Sequence, residues 1–291
     1  GVVKQLVNGV GYLLKKNKVD FLPGEAKLLS ASEVKLGGKV YRTRNILIAT
    51  GSSNAAPPIP GLKGERVIDS TQLLALKTLP KSMVIIGGGV IGLEMASYFN
   101  TAGSKVTVIE MLNKIAGPTD SEISEILMKN YEKKAITFNL GCKVTAVEPG
   151  KVIYDKDGKS YEVPCDKVLL SIGRRAFTEG LGLESIGVET DRGKIKTDDR
   201  GRTNIAGVYA TGDVNGHSMP AHTAYRETEV AVNDILGIKD VMRYNAIPSV
   251  IYTNPEVAVI GETEETAKAK GIDYEVVKLS MMYSGRYVAE N

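Results

Sequence analysis

One segment, residues 83–103, constrains the fold more than any other and reads MVIIGGGVIGLEMASYFNTAG. Four apolar residues typical of a buried strand lead into a GxGxxG turn at Gly87, Gly89 and Gly92, and a helix is predicted to end at Gly103. In such a turn the first glycine makes the bend, the second lets the backbone approach a pyrophosphate, and the third lets the helix pack on the strand. The order predicts a dinucleotide-binding βαβ unit with the pyrophosphate at the helix N-terminus. The alternative is a turn that serves tight packing only.

The acidic residue that follows the next predicted strand favours one nucleotide over another. Residues 105–109 form that strand, and Glu110 lies 23 residues after Gly87. A carboxylate there accepts both ribose hydroxyls and repels a 2′-phosphate, and residues 111–113 offer no arginine to receive one. We therefore expect NAD rather than NADP.

A hairpin followed by an apolar strand and a glycine occurs twice. The first copy covers residues 33–51 and contains ILIATG; the second covers residues 152–173 and contains VLLSIG. Gly87 lies 86 residues before Gly173, and the same distance before Gly51 gives position −35. If the copies are duplicates, the first has lost its opening strand and glycine turn. Alternating strands and helices predict an α/β fold with a mostly parallel sheet.

Periodicity predicts the remaining elements that bear on domain organisation. Residues 2–16 carry apolar side chains at helical spacing, and residues 19–22 are predicted as a short strand. A capping box at residues 119–122 opens another helix. Residues 76–82, LKTLPKS, are interpreted as a linker at a domain boundary. Because the first helix begins almost at the terminus, without an initiator Met, we expect a chain cut from something longer.

Composition excludes several classes of function. The net charge is only +3 and the basic residues alternate with acidic ones, which does not favour nucleic-acid binding. The most apolar stretch, residues 83–99, contains three consecutive glycines and Glu94, so no membrane span is predicted. Without a signal segment, we expect a soluble, cytoplasmic protein. Cys142 and Cys165 have neither metal-site nor CxxC spacing and are interpreted as reduced core cysteines.

Five motifs occur in an order that resembles the dihydrolipoamide dehydrogenases, members of the pyridine nucleotide-disulfide oxidoreductase family. They are GGGVIGLE, VTVIE, SIGRR, TNIAGVYATGDV and IPSVIYTNPEVAVIGETEE. The resemblance implies two Rossmann-like dinucleotide-binding domains, the first incomplete here, and the start of an α+β interface domain. The implied parts are the end of the FAD domain, the NAD domain, the FAD-contacting central domain and the start of the interface domain, at residues 1–79, 80–175, 176–245 and 246–291.

The resemblance also implies the residues of an NAD site. The pyrophosphate turn comprises Gly87, Gly88, Gly89, Val90, Ile91 and Gly92, with Glu110 as the ribose ligand. Val144 and Gly173 take the strand positions beside the adenosine and nicotinamide halves. Glu94 is either a solvated helix charge or the glutamate that approaches the flavin with a lysine partner.

A second set of residues resembles the part of the family that faces FAD. Asp213 corresponds to the carboxylate that holds the ribityl hydroxyl, unless it is only a turn or helix-cap residue. The backbone of Met219, Pro220, Ala221 and His222 corresponds to the stretch facing the flavin pyrimidine. Thr50, Gly51 and Ser52 match the turn near FAD that links the two dinucleotide domains.

The chain departs from the family where the redox chemistry is carried out. It contains no CxxxxC pair, and residues 246–291, the start of the implied interface domain, contain no His to serve with a Glu as acid and base, so no catalytic or metal-binding residue is assigned. Thr228 replaces a usual glycine, which could disturb helix packing. The resemblance implies a parent protein that transfers hydride from dihydrolipoamide through a disulfide and FAD to NAD⁺. For this chain alone we expect NAD(H) binding.

The resemblance further implies partners and leaves alternatives open. The parent is expected to be a homodimer that acts on the lipoyl groups of 2-oxo acid dehydrogenase or glycine cleavage complexes. Other members of the superfamily, an NADH oxidase or a mercuric reductase, share part of the motif set. A non-catalytic NAD-binding module is a further alternative.

Overall fold

A computed structural model describes residues 1–290. The helices in chain order are α1 (Val2–Lys16), α2 (Ser70–Leu74), α3 (Val90–Thr101), α4 (Ser121–Lys133), α5 (Leu183–Ile186), α6 (Ala221–Ile235), α7 (Glu264–Lys270) and α8 (Gly285–Glu290). The strands are β1 (Ala26–Ser30), β2 (Glu33–Leu36), β3 (Lys39–Arg42), β4 (Ile46–Ile48), β5 (Ser52–Asn54), β6 (Val67–Ile68), β7 (Ser82–Ile86), β8 (Lys105–Ile109), β9 (Thr137–Asn139), β10 (Lys143–Glu148), β11 (Lys151–Lys156), β12 (Lys159–Pro164), β13 (Lys167–Leu170), β14 (Arg174–Ala176), β15 (Thr190–Asp191), β16 (Lys194–Ile195), β17 (Val208–Ala210), β18 (Ser249–Ile251) and β19 (Val257–Val259).

The chain forms two compact units, each built from two separate stretches of sequence. The first unit comprises Gly1–Ser53 and Arg175–Met242. The second unit comprises Asn54–Arg174 and the described residues from Arg243 onward. The mixed α/β architecture confirms the predicted fold class.

A parallel sheet forms the centre of the second unit. Its strand order is β6-β13-β7-β8-β9, and every neighbouring pair is parallel. The four apolar residues of β7 are almost completely buried because a parallel sheet is covered on both faces. On one face, buried side chains of α3 and α4 pack with those of the sheet, including Leu93, Leu127 and Tyr131.

The duplicated pattern in the sequence corresponds to two similar antiparallel sheets. The order β1-β2-β3 precedes β4 in the first unit, and β10-β11-β12 precedes β13 in the second. The predicted hairpins are confirmed, and each pairs with a third strand: β1, which was not predicted, and β10, which contains Val144. The turns use residues with positive φ, Gly37 at 58° and Asp157 at 50°, as tight hairpins require.

Two local predictions are wrong. Residues 19–22 form no strand: they lie exposed before β1, which takes the pairing position on β2. The helix α4 is capped by Asp120, whose carboxylate accepts the Glu122 N–H at 3.0 Å, rather than by Thr119. Thr119 is instead buried. By contrast, α1 is confirmed with its predicted bounds, and none of its residues is buried.

The first unit places a parallel strand pair beside the helix α6. β4 and β17 pair in parallel, with Ile46 opposite Val208. Their apolar side chains form one buried cluster with residues such as Leu183 and Ile195.

The segment that follows the first unit joins the core of the second. β18 and β19 form an antiparallel hairpin, and the side chains of Ile251 and Val257 are buried in the same cluster as α3 and the parallel sheet. The start of the predicted interface domain therefore packs against α3 and the parallel sheet of the second unit.

Candidate nucleotide-binding site

The predicted nucleotide residues of the second unit meet at one edge of the parallel sheet. Gly87 follows β7, Glu110 follows β8, and Gly173 lies just after β13, close in sequence to Ser171, which was not among the predicted residues. These strands are adjacent and parallel, so their carboxyl ends lie together. In open α/β sheets this edge is where ligands bind.

The three glycines of the turn differ in whether the surrounding structure could accommodate a side chain. Gly87 has φ of +108°, and a Cβ there would lie 2.4 Å from the Ser171 carbonyl oxygen. A Cβ on Gly92 would lie 2.1 Å from the Gly87 carbonyl oxygen, so the helix can pack here only without a side chain. Gly89, the N-cap of α3, has open space around its Cβ position. Packing requires the first and third glycines but does not explain the second.

The carboxylate of Glu110 is held by backbone groups. Its Oε2 accepts the Gly88 N–H at 2.6 Å, and its Oε1 accepts the Leu112 N–H at 2.8 Å. A carboxylate has about four lone-pair positions, so capacity remains for two further donors such as ribose hydroxyls. The half-buried side chain is thus oriented before any ligand arrives.

The other predicted residues of the NAD site lie around this edge. Val90 and Ile91 form the first turn of α3, and Val90 is exposed. Val144 is buried on β10. Gly173 is exposed, has φ of +117° and has open space at its Cβ position. Their contacts with a nucleotide remain predictions.

The structure gives Glu94 a partner within the second unit. This residue lies on α3, and its Oε1 accepts the Tyr252 N–H at 2.9 Å. One turn further along, the Ser97 hydroxyl accepts the Asn254 N–H at 3.3 Å. Glu94 is therefore more than a solvated helix charge, and its approach to a flavin remains a prediction.

In the first unit, two predicted FAD residues contact each other. The Ser52 hydroxyl donates to the carboxylate of Asp213, which lies in the short turn Gly212–Val214. The sequence analysis missed Glu227, a carboxylate only 2% exposed on α6. Its Oε2 accepts the Gly212 N–H at 2.5 Å and so supports this turn. No motif in the sequence marks Glu227, because its burial and its contact with Gly212 arise only from the packing of α6.

The turn at residues 50–51 is fixed by contacts within the first unit. The Thr50 hydroxyl donates to the Phe177 carbonyl oxygen at 2.6 Å, and the Gly51 carbonyl oxygen accepts the Phe177 N–H at 2.9 Å. These bonds hold the backbone of the turn, in which Gly51 has φ of +71°.

The residues predicted to face the flavin pyrimidine lie at the N-terminus of α6. Pro220 is the N-cap, Ala221 and His222 form the exposed first turn, and Met219 is 42% exposed. Further along α6, the Thr228 hydroxyl donates to the Ala224 carbonyl oxygen at 2.7 Å. Thr228 is therefore accommodated within a continuous helix.

Both cysteines are free and buried. Burial raises the pKa of the Cys142 and Cys165 thiols, which disfavours the nucleophilic thiolate. They are core cysteines, as predicted. Across residues 1–290 no group of three or more His, Cys, Asp or Glu residues is placed to bind a metal ion. None of the helices in that range has the length and apolarity to cross a membrane.

Comparison with known proteins adds independent findings. The sequence model described as pyridine nucleotide-disulphide oxidoreductase matches residues 1–228, and the dimerisation domain of the same family matches residues 247–291. A dihydrolipoyl dehydrogenase of Acholeplasma laidlawii is 47% identical over 82% of this chain and 71% of its own length. The mitochondrial dihydrolipoyl dehydrogenase of Pisum sativum is 38% identical over 98% of this chain and 59% of its own length.

A solved structure shows the same fold. The HOCl-induced flavoprotein disulfide reductase RclA from Escherichia coli superposes with a TM-score of 0.86 at 27% identity, over 99% of this chain and 69% of that one. The match to Dihydrolipoyl dehydrogenase 3 of Pseudomonas putida covers 98% of this chain and 63% of that relative. The chain thus spans about three fifths of the length of several relatives that it matches almost from end to end.

Proposed function

The chain belongs to the pyridine nucleotide-disulphide oxidoreductase family, and on that premise we propose that its second unit binds NAD(H) at the carboxyl edge of the parallel sheet. We further propose that the whole protein is a flavoprotein that oxidises dihydrolipoamide with NAD⁺.

One observation carries the proposal for NAD(H). Packing accounts for Gly87 and Gly92, whereas the missing side chain of Gly89 leaves open space at the N-terminus of α3. A backbone-oriented carboxylate, Glu110, lies at the end of the adjacent strand. A helix N-terminus attracts an anion, and a carboxylate next to it accepts hydroxyl donors, so the pair fits a pyrophosphate joined to a ribose.

The proposed roles follow from this geometry. The N–H groups of Gly89, Val90 and Ile91 would bind the pyrophosphate, and Glu110 would bind the adenosine ribose. Because Glu110 repels a 2′-phosphate, the site favours NAD(H) over NADP(H). Val144 and Gly173 would lie beside the two ends of the nucleotide.

FAD would be held by the first unit in the whole protein. Asp213, oriented by Ser52, suits a ribityl hydroxyl, and the helix N-terminus at residues 219–222 suits the electronegative edge of a flavin ring. The turn at residues 50–52, in the same unit, completes the proposed set. When bound, FAD supplies two-electron transfer between a dithiol and a nicotinamide.

The proposed substrate and partners rest on the family resemblance and on the names of the relatives. The whole protein would act on lipoyl groups of 2-oxo acid dehydrogenase or glycine cleavage complexes. It would form a homodimer through the region that matches the dimerisation domain, residues 247–291. The two cysteines present are buried and lie far apart in sequence, so we propose that this chain alone binds NAD(H) without disulfide chemistry.

Calorimetric titration with NADH and NADPH tests the proposal. We expect NADH to bind more tightly, and Glu110→Ala to weaken NADH binding about 10- to 100-fold, which is typical for loss of hydrogen bonds to a charged group. Glu125→Ala, which removes an exposed carboxylate of α4 paired with Lys129, serves as the matched control and should leave the affinity unchanged. Tighter binding of NADPH, or no binding of NADH, would contradict the proposal.

A further inference from the structure

The peptide bond between Gly87 and Gly88 is held at both ends by side chains from neighbouring strands. Its N–H donates to the Glu110 carboxylate at 2.6 Å. Its carbonyl oxygen lies 3.1 Å from the Ser171 hydroxyl, which shares its one proton between this oxygen and the Ile86 carbonyl oxygen, also 3.1 Å away. In a trans peptide these two groups point in opposite directions, so Ser171 and Glu110 grip the turn from opposite sides.

Ser171 is also the residue around which the glycine turn is shaped. A Cβ on Gly87 would meet its carbonyl oxygen at 2.4 Å, and a Cβ on Gly92 would meet its hydroxyl oxygen at 2.9 Å. Gly87 and Gly92 therefore both leave space for Ser171, the residue that follows β13. The Ser171 N–H already donates to the Ile86 carbonyl oxygen at 2.9 Å, which fixes the backbone from which the hydroxyl reaches the turn.

From this arrangement we infer that Ser171 is a positioning residue for the ribose-binding carboxylate. Its hydroxyl donates to the Gly87 carbonyl, the same peptide donates to Glu110, and Glu110 is then aimed at the ribose hydroxyls. Hydrogen bonds in such a chain polarise and strengthen one another. Removal of the hydroxyl leaves the Gly88 N–H less firmly directed, so the orientation of Glu110 is relaxed. The inference rests on the proposed NAD(H) function for its link to the ribose.

Ser171→Ala tests this inference in the full chain. We expect NADH binding to weaken about 2- to 10-fold, the range of one neutral hydrogen bond. The same substitution should weaken the binding of NADH that lacks the adenosine 2′-hydroxyl clearly less. In that analogue the contact with Glu110 that Ser171 supports is already missing. In the ligand-free protein, the Gly88 amide should exchange faster with solvent, measured by NMR.

The matched control is Ser124→Ala. Ser124 is 2% exposed on α4, and of the buried side-chain polar atoms in residues 1–290 its hydroxyl is the one without a hydrogen-bond partner. This variant should change neither the NADH affinity nor Gly88 exchange.

Two outcomes would overturn the inference. The first is an equal loss of affinity for NADH and its 2′-deoxy analogue in Ser171→Ala, which would indicate a general structural effect. The second is unchanged Gly88 exchange. If the unaltered chain bound no NADH, the proposed function would fail, while exchange of the Gly88 and Leu112 amides would still decide whether Ser171 positions Glu110.

Discussion

Replacing the glycines of the turn one at a time should separate stability from nucleotide binding. In Gly92→Ala the new Cβ would lie 2.1 Å from the Gly87 carbonyl oxygen, whereas Cβ atoms essentially never approach other atoms within 3.0 Å. The carbonyl cannot yield easily, because the Gly87 N–H is bonded to the Ile109 carbonyl oxygen at 2.9 Å. The helix α3 must therefore move away from β7.

The magnitude follows from two opposing terms. Overpacking costs about 1–3 kcal/mol, and a contact with backbone belongs at the upper end of that range. Alanine gains at most about 1 kcal/mol over glycine within a helix. The net loss is about 2 kcal/mol in the free energy of unfolding, which corresponds to a decrease in Tm of about 4–8 °C for a unit of this size.

Gly89→Ala is the matched comparison for Gly92→Ala in both stability and NADH affinity. Its Cβ would enter open space, and the backbone φ of −79° suits alanine, so the stability loss should stay below about 1 kcal/mol at this N-cap. The same Cβ would enter the proposed pyrophosphate site, and NADH affinity should decrease about 10-fold or more. Thermal unfolding and calorimetric titration measure the two effects. Similar behaviour of the two variants in both assays would refute the assignment of separate roles.

Three further predictions concern other parts of the chain. Tyr131→Phe removes the buried hydroxyl that donates to the Leu93 carbonyl oxygen at 3.0 Å, and should lower the unfolding free energy by about 1 kcal/mol in denaturant titration. Arg202 beside Asp234 holds the pKa of that carboxyl below its ordinary value of 3.8. The ionised Asp234 therefore stabilises the folded chain above about pH 4, and this contribution is lost as the pH falls through the lower, folded-state pKa. Asp234→Asn should therefore be less stable than the unaltered chain at neutral pH, with a difference that shrinks in acid; a pH-independent difference would contradict this. Hydrogen bonding to Ser121 lowers the pKa of Glu265 to about 2. Glu265→Gln should therefore increase hydrogen exchange at the Ser121 amide at pH 6. Equal protection of that amide in both proteins would argue against the contact.

Features encoded within a short stretch were predictable from the sequence. The turn at Gly87, the strand Lys105–Ile109 and the helix α1 have the predicted bounds because glycine spacing and apolar periodicity are local signals. Residues 19–22 were mispredicted for the opposite reason. A short apolar run is compatible with a strand, but whether it pairs depends on a partner, and β2 pairs with β1.

Residues whose role depends on strand order were invisible in the sequence. Ser171 and Gly87 are distant in sequence and meet because β13 lies next to β7 in the sheet. Glu227 reaches the turn at Gly212 only when α6 packs beside it. Glu110 and Asp213 could be predicted because each lies within a short sequence motif. The motif gives the residue's position along the chain but not the contacts that it makes in the fold.

The interleaving of the two units has a consequence for synthesis on the ribosome. β4 pairs with β17, and Ile46 must wait until Val208 has been made. About 160 residues separate them, which takes roughly 8–30 s at about 5–20 residues per second. During that interval the second unit's parallel sheet can emerge and fold, while the apolar strand β4 remains unpaired. An apolar strand that has been made but not yet paired can be bound by chaperones or can aggregate, and β4 is open to both during this interval.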